Sequence, residues 1–332
     1  MRLLGAGVTQ QESVSPPSVT LSFVIVSWNT KELLLQCLGS LYQQLASYTS
    51  EVIVVDNAST DGSVAAVTRD FTDVRIIQND KNVGFAKANN IGIRSCTGKY
   101  IVLVNSDIIF RPHCIQRSVS YLECHQNIGL VGPKILNPDL SLQFSYRPFP
   151  GLANALCRAL AVDKVPIVSQ QLRSGLRETR IGAGQEADIL SGCLWVVRRT
   201  ALADVGMLDE AFFIYAEDKD WCRRFWTAGW SIVYLPEAEA IHYGGASSSS
   251  EPVKFYVEMH RANLQYWRKH HGWLSWISIR VIMLLHQCTR IVAGIVVVLF
   301  FRSRRESIFL TIKRCRACAR FLLGDTSQFN AY

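Results

Sequence analysis

The sequence predicts an α/β fold, a mainly parallel central sheet flanked by helices, with a helical appendage at the C-terminal end. Three observations carry this. Short β-branched runs are apolar almost throughout, helical periodicity lies between them, and a polar cluster stands just past the end of each run. The runs are Leu21 to Val26, Glu51 to Val55 and Tyr100 to Val104, and strands without a polar face need cover on both sides, as in a parallel sheet. From Lys31 to Leu45, residues Leu34, Leu35, Leu38, Leu41 and Tyr42 recur at three- and four-residue spacing, and Gly84 to Cys96 is a second helical segment. Strand, helix and strand with short connections build such a sheet.

Before these elements, residues 1–19 end in Ser15-Pro16-Pro17-Ser18 and read as a loose leader. One folded domain is expected over 20–250, with a first half at 20–135 and a second at 186–250. Pro148 to Glu186, rich in Arg, Gln and Gly, reads as loops between the halves. Strands resume at Asp188 to Leu190 and Trp195 to Val197. A helix follows from Glu217 to about Ala228, stopped by Gly229, and then a strand from Ser231 to Leu235, closed by Pro236. Residues 251–332 form a basic, apolar region, helical to about residue 323.

With 49% hydrophobic and 19% charged residues, the chain is neither disordered nor of low complexity. The net charge of +8 is local: twelve Lys/Arg against Glu306 between Arg261 and Arg320 leave the rest at about −3. That excludes a basic nucleic-acid-binding body, and basic residues mixed with Trp, Leu, Ile and Val suit anionic lipid. Ten cysteines form no dense framework and follow no secretory signal, which fits a reduced, cytosolic compartment. Cys315 and Cys318 read as helical thiols more than as half of a metal site.

Ligands of open parallel sheets bind at the carboxyl ends of the strands. Those ends carry Ser27-Trp28-Asn29, Asp56 to Ser63, and Asn105-Ser106-Asp107. Turn chemistry explains Asp61-Gly62-Ser63. Asp56 follows directly on β-branched residues and is placed to meet a base or ribose. No GxGxxG follows the first run, so a nicotinamide or flavin dinucleotide fold lacks its phosphate loop. A diphosphate then needs another counter-charge, and Mg²⁺ or Mn²⁺ on Asp107 would supply it. Glu217-Asp218-Lys219-Asp220, after apolar Phe212 to Tyr215, can either complement a helix dipole or offer a carboxylate to take a hydroxyl proton. His242, before Gly244-Gly245, is either a structural histidine or a ligand for Mn²⁺.

Together these pieces resemble family 2 of the inverting glycosyltransferases with the GT-A fold, particularly the bacterial rhamnosyltransferase-like members. The resemblance covers about residues 21–245 and rests on eight segments in order. They are Val26 to Asn29, Val55 to Ser63, Asn82 to Asn90, Leu103 to Asp107, Ser191 to Cys193, Gly206 to Glu210, Tyr215 to Asp220 and Ile241-His242. It implies that Asp56 contacts the nucleoside base with Ser27 and Asn29 nearby, and that Asn82 and Asn89 lie along the donor. It also implies that Asp107 and His242 hold a divalent metal, Mg²⁺ or Mn²⁺, that Asp218 is the catalytic base and that Glu217 supports it. Asn105-Ser106-Asp107 lacks the first carboxylate of the fuller Asp-x-Asp. The implied partners are a nucleotide diphosphate sugar, deoxythymidine diphosphate rhamnose being favoured, and a glycan or lipid-linked glycan acceptor of the cell surface. Competing readings are a nucleotidyltransferase, which would want a glycine- and lysine-rich phosphate loop, and a non-catalytic sugar-nucleotide-binding membrane scaffold.

The tail completes the expectation. Its longest uncharged apolar run, Ile291 to Phe301, has eleven residues, short of the ~20 that span a bilayer. Extending it to Val281 buries Arg290. The chain is therefore expected in the cytoplasm, attached peripherally to the inner face of the cell membrane without crossing it, the alternatives being a tilted span or packing of these helices onto the body or a second subunit.

Overall fold

A computed structural model describes residues 20–45, 48–161, 176–245, 251–300 and 305–325, so the expected leader lies outside the described residues. Its first half runs β1 (Leu21–Ser27), α1 (Lys31–Tyr42), β2 (Ser50–Asp56), α2 (Ser63–Asp70), β3 (Arg75–Gln78), α3 (Phe85–Arg94) and β4 (Tyr100–Asn105). Then come β5 (Ile108–Phe110), α4 (Cys114–Cys124), β6 (Ile128–Leu136), β7 (Leu142–Gln143), β8 (Tyr146–Arg147), α5 (Leu152–Ala159), β9 (Leu176–Ile181) and β10 (Gly184–Ala187). The chain continues through β11 (Ile189–Leu190), β12 (Leu194–Arg198), α6 (Arg199–Val205), α7 (Glu217–Thr227), β13 (Ser231–His242), α8 (Pro252–Phe300) and α9 (Arg305–Leu323).

The central sheet has the order β3-β2-β1-β4-β12-β6-β13-β10-β9. β3, β2, β1 and β4 pair in parallel, β12 runs against both β4 and β6, and β6 and β13 are parallel again. Alternation within the apolar runs decides the layers. Leu21, Phe23 and Ile25 of β1 share one core with Leu34, Leu38 and Leu41 of α1, while Val24 shares the other with Ala86, Ala88 and Ile93 of α3. That two-sided burial is why the run is apolar at every second position and between. On α3, a Cβ at Gly92 would come within 2.3 Å of Val24, so only glycine lets the helix lie this close to the sheet.

Two expectations are corrected. The stretch from Pro148 to Glu186 is not loops alone, since α5 and β9 lie in it and β10 begins in it. Leu176–Ile181 is a largely exposed edge strand, held by its pairing with β10 and carrying no apolar signal of its own. Pro236 does not close the last strand either. β13 runs on to His242, and its register against β6 shifts between Leu235 and Glu239, a bulge that absorbs a proline without a ladder donor. The register shift leaves Ala240 to His242 pairing with β5, where His242 stands opposite Ile108.

Past the sheet, the appendage is continuous with the body. Phe212 and Ala216 share a core with Val257, Tyr266, Trp267 and Met283 of α8 and with Cys318 and Leu322 of α9. Gly272, at φ 75° and ψ 177°, interrupts the helical backbone of α8. Cys315 and Cys318 are buried thiols on α9.

Candidate active site

Parallel pairing brings the polar ends of three strands to one edge: Ser27 stands beside Asp56, and Val26 beside Asn105. A cavity of about 260 Å³ opens there, lined among others by Asn57, Asn82, Asn105, Asp107 and His242, and roofed by Phe213 to Tyr215. Tyr215 and Ala216, at φ 69° and 63°, are both left-handed, a costly pair for non-glycine residues. They turn the chain from that roof into α7.

The expected donor residues have distinct surroundings. Ser27 is fully buried, and its hydroxyl lies 3.2 Å from that of Thr30, which in turn lies 2.7 Å from that of Ser106. Asn29 is exposed at φ 52°, and its Oδ1 accepts from the Thr60 amide at 2.8 Å, so it braces the loop after β2. Asp56 accepts from the Ser59 amide through Oδ2, while its buried Oδ1 has no partner. An orphaned buried acceptor of this kind is costly unless a ligand donor meets it. Asn82 lines the cavity and accepts from the Gly84 amide at 2.9 Å. Asn89 is buried in α3, with Nδ2 on the Phe85 carbonyl and Oδ1 unpartnered, and does not line the cavity. Asp61 accepts from the Ser63 and Lys31 amides, the turn chemistry its sequence suggests.

Asp107 and His242 come together although 135 residues separate them, because β5 pairs with the end of β13. His242 Nε2 lies 3.2 Å from Asp107 Oδ1, and Asp107 Oδ2 accepts from the Gly244 amide at 3.0 Å. Gln143 commits its Nε2 to the carbonyl oxygens of Asn137 and His242, so its Oε1, 2.7 Å from His242 Nδ1, accepts the ring proton there. In the tautomer that carries its proton on Nδ1, the ring turns the Nε2 lone pair toward the Asp107 carboxylate. Two acceptors facing each other want a proton or a cation between them, and Asn105 Oδ1, buried without a partner, is nearby. A carboxylate and an imidazole, with room for substrate phosphates to add oxygen ligands, suit Mn²⁺ or Mg²⁺. Among the described residues no cluster of three or more His, Cys, Asp or Glu could hold a metal without such help.

Asp218 and Glu217 begin α7, outside the cavity lining. Asp218 Oδ2 is ion-paired with Arg147 and Oδ1 accepts from the Lys219 amide. Glu217 is buried with Oε2 unpartnered, and burial, then the charge of Asp218, push its carboxyl up to about 8. The Cys193 thiol, pushed to about 12 first by burial, feels both Asp107 and Asp218, which ties the two constellations to one region. Asp220 is committed elsewhere. It is fully buried on Arg224, Lys269 and His270, and although burial alone would raise it, those partners hold it at about 2.

Sequence reasoning missed Arg147, Asn57 and Gln143. Arg147 stands just before the stretch read as loops, in a two-residue strand too short to show a pattern. Asn57 fastens β2 to the Gly84 carbonyl and to Asn79. Gln143 has no local signal, because its role exists only across 99 residues.

Comparison with known proteins agrees with this geometry. The profile of glycosyl transferase family 2 matches residues 22–206. The N-acetylglucosaminyl-diphospho-decaprenol L-rhamnosyltransferase of Mycobacterium tuberculosis is 28% identical over 235 residues, covering 67% of this chain and 76% of that one. The dTDP-rhamnosyl transferase RfbF of Shigella flexneri is 28% identical over 281 residues, covering 79% and 85%. The mannosyltransferase PcManGT from Pyrobaculum calidifontis, solved with GDP-Man and Mn²⁺, superposes with a TM-score of 0.51 at 16% identity, covering 96% of this chain and 91% of that one. That likeness is one of fold, the GT-A arrangement of a mostly parallel sheet flanked by helices. With more than half of its length matched by the profile, this chain belongs to glycosyl transferase family 2 and is a sugar-transferring enzyme of glycan biosynthesis.

Proposed function

We propose that the enzyme moves a sugar from a nucleotide diphosphate donor, dTDP-L-rhamnose, onto a hydroxyl of a cell-surface glycan or its lipid-linked precursor, with inversion. The donor reading is supported by the two rhamnosyltransferase relatives, and the observation that carries the site is the open Asp107–His242 pair at the sheet edge. Asp56, with Ser27 and Asn29 shaping its loop, takes the base, its free Oδ1 meeting a donor group of the ring. Asn82 lies along the donor, and Asn89, behind the cavity wall, holds the start of α3 through the Phe85 carbonyl. Asp107 and His242 would hold Mg²⁺ or Mn²⁺, which when bound neutralises charge on the departing diphosphate.

Asp218 takes the acceptor proton, the acceptor oxygen bonds to the anomeric carbon, and the bond from that carbon to the diphosphate oxygen breaks with its electron pair. One base suffices for a single displacement. Glu217 supports it by staying protonated at neutral pH, so that no second negative charge crowds Asp218. The reaction is placed in the cytoplasm, at the inner face of the membrane.

Asp218→Asn tests the reading. Transfer should fall at least about 100-fold, while donor affinity stays within about twofold, because a base acts on the acceptor. Donor binding to the wild type, measured by titration, should collapse on chelation. A variant retaining more than a tenth of wild-type turnover removes Asp218 as the base, and chelator-insensitive donor binding removes the metal.

A further inference from the structure

On the far side of Arg147 lies a second and larger cavity, of about 1150 Å³, walled by α5, α8 and α9 and reaching the start of α7 at Lys219. It exceeds the ~300–1,000 Å³ of ordinary small-molecule pockets. Its lining divides by chemistry. Arg147, Arg158, Lys219 and Arg290 are cationic, and among the described residues of the lining there is no carboxylate. Much of the remainder is apolar, including Ile282, Met283, Ala293 and Val297 of α8 and Ile308 of α9.

The cations are gathered. Thr289 bonds the Ala159 carbonyl at 3.3 Å, which fastens α8 to α5 at the chain neighbours of Arg290 and Arg158. Lys219 donates to Asn263 at 3.1 Å. Burial, then the Arg147 charge, hold its ammonium down at about 8, with Arg158 adding to the effect. Neither Arg158 nor Arg290 has a carboxylate partner among the described residues. A buried ammonium with like charges about it, as at Lys219, is unfavourable until an anion joins it.

We propose that this cavity holds the acceptor as a long-chain lipid diphosphate, its head on Arg147, Arg158, Lys219 and Arg290 and its chain along α8 and α9. This deepens the transferase reading and rests on it. Arg147 belongs to both places, since it also pairs with Asp218. An arriving diphosphate competes for that guanidinium, and the carboxylate is released to accept the proton of a hydroxyl on the sugar carried by the same head. Acceptor docking thereby switches on the base.

The test is binding of geranylgeranyl diphosphate to the full chain, read by tryptophan fluorescence because Trp267 lines the cavity. Inorganic diphosphate and geranylgeraniol are the controls. The lipid diphosphate should bind at least tenfold more tightly than either. The exposed double charge reversal Arg158→Glu/Arg290→Glu should weaken it at least tenfold, with circular dichroism unchanged. Ala293→Trp, which fills the apolar end, should weaken it as well. Equal binding of the lipid diphosphate to wild type and both variants overturns the proposal, as does equal affinity for either control. Nucleotide-sugar turnover by the same preparation reports separately on the donor and base assignments. Turnover without lipid binding sinks this inference alone, whereas lipid binding without turnover supports it and sinks those assignments.

Discussion

Glu217 sits at the junction between stability and function. Its carboxyl, normally at 4.5, is raised to about 8 by burial and by Asp218, so the native protein keeps a proton that the unfolded chain releases. Its contribution to stability is full below about pH 4.5 and drains away as pH rises through 8. Glu217→Gln should abolish that loss: the Tm of the variant relative to wild type should climb between pH 5 and pH 9 by calorimetry. A constant difference across that range would falsify the raised carboxyl. Asp220 has the opposite sign, its stabilisation being lost only as pH falls from 3.8 towards 2. At this scale, the sequence discloses residues whose role follows from position at a strand end, such as Asp56 and Asp107. It conceals Arg147, because an arginine gains a role at Asp218, 71 positions on, only once the chain between them has folded.

Elements were legible in proportion to how much of their surface the fold buries. β1, β2 and β4 lie under helices on both faces and announce themselves as apolar runs, whereas β9 sits at an edge with four of six residues exposed and has no pattern to read. The strap from Phe213 to Ala216 shows in the sequence only as an apolar run before Glu217, and in the fold it roofs the sheet-edge cavity through contact with Gly84. There φ is +88°, the Phe85 amide donates to the Phe213 carbonyl at 2.6 Å, and a Cβ would lie 2.5 Å from that carbonyl oxygen. Gly84→Ala should therefore cost about 1–3 kcal/mol in denaturant unfolding and push the strap off the cavity. Donor affinity should fall at least tenfold in the same preparation. Wild-type stability in that variant would mean that the strap yields freely and does not shape the site.

For the molecule as a whole, the open question is what covers the outer face of α8. Leu274, Val281, Val292 and Leu299 are each more than 60% exposed and stand seven, eleven and seven residues apart, close to whole numbers of helical turns. Pro252–Leu299 is long and apolar enough to cross a membrane, with 11% of its most apolar window buried. The core with Phe212 and Ala216 takes up α8 as far as Met283, and Arg290 stands within the apolar stretch beyond it, which favours lying on a bilayer over spanning it. Most of the protein should leave membrane fractions in carbonate or high salt. Retention until detergent is added means a span, and solubility before any wash means no attachment. The charge division read from the sequence, about −3 in the body and +11 between Arg261 and Arg320, acts before any such contact. Near an anionic leaflet one end is drawn in and the other pushed away, so the molecule feels an orienting torque as well as an attraction. On such a surface it should arrive already the right way up, and this steering should fade as added salt shortens the screening length below its physiological ~8 Å.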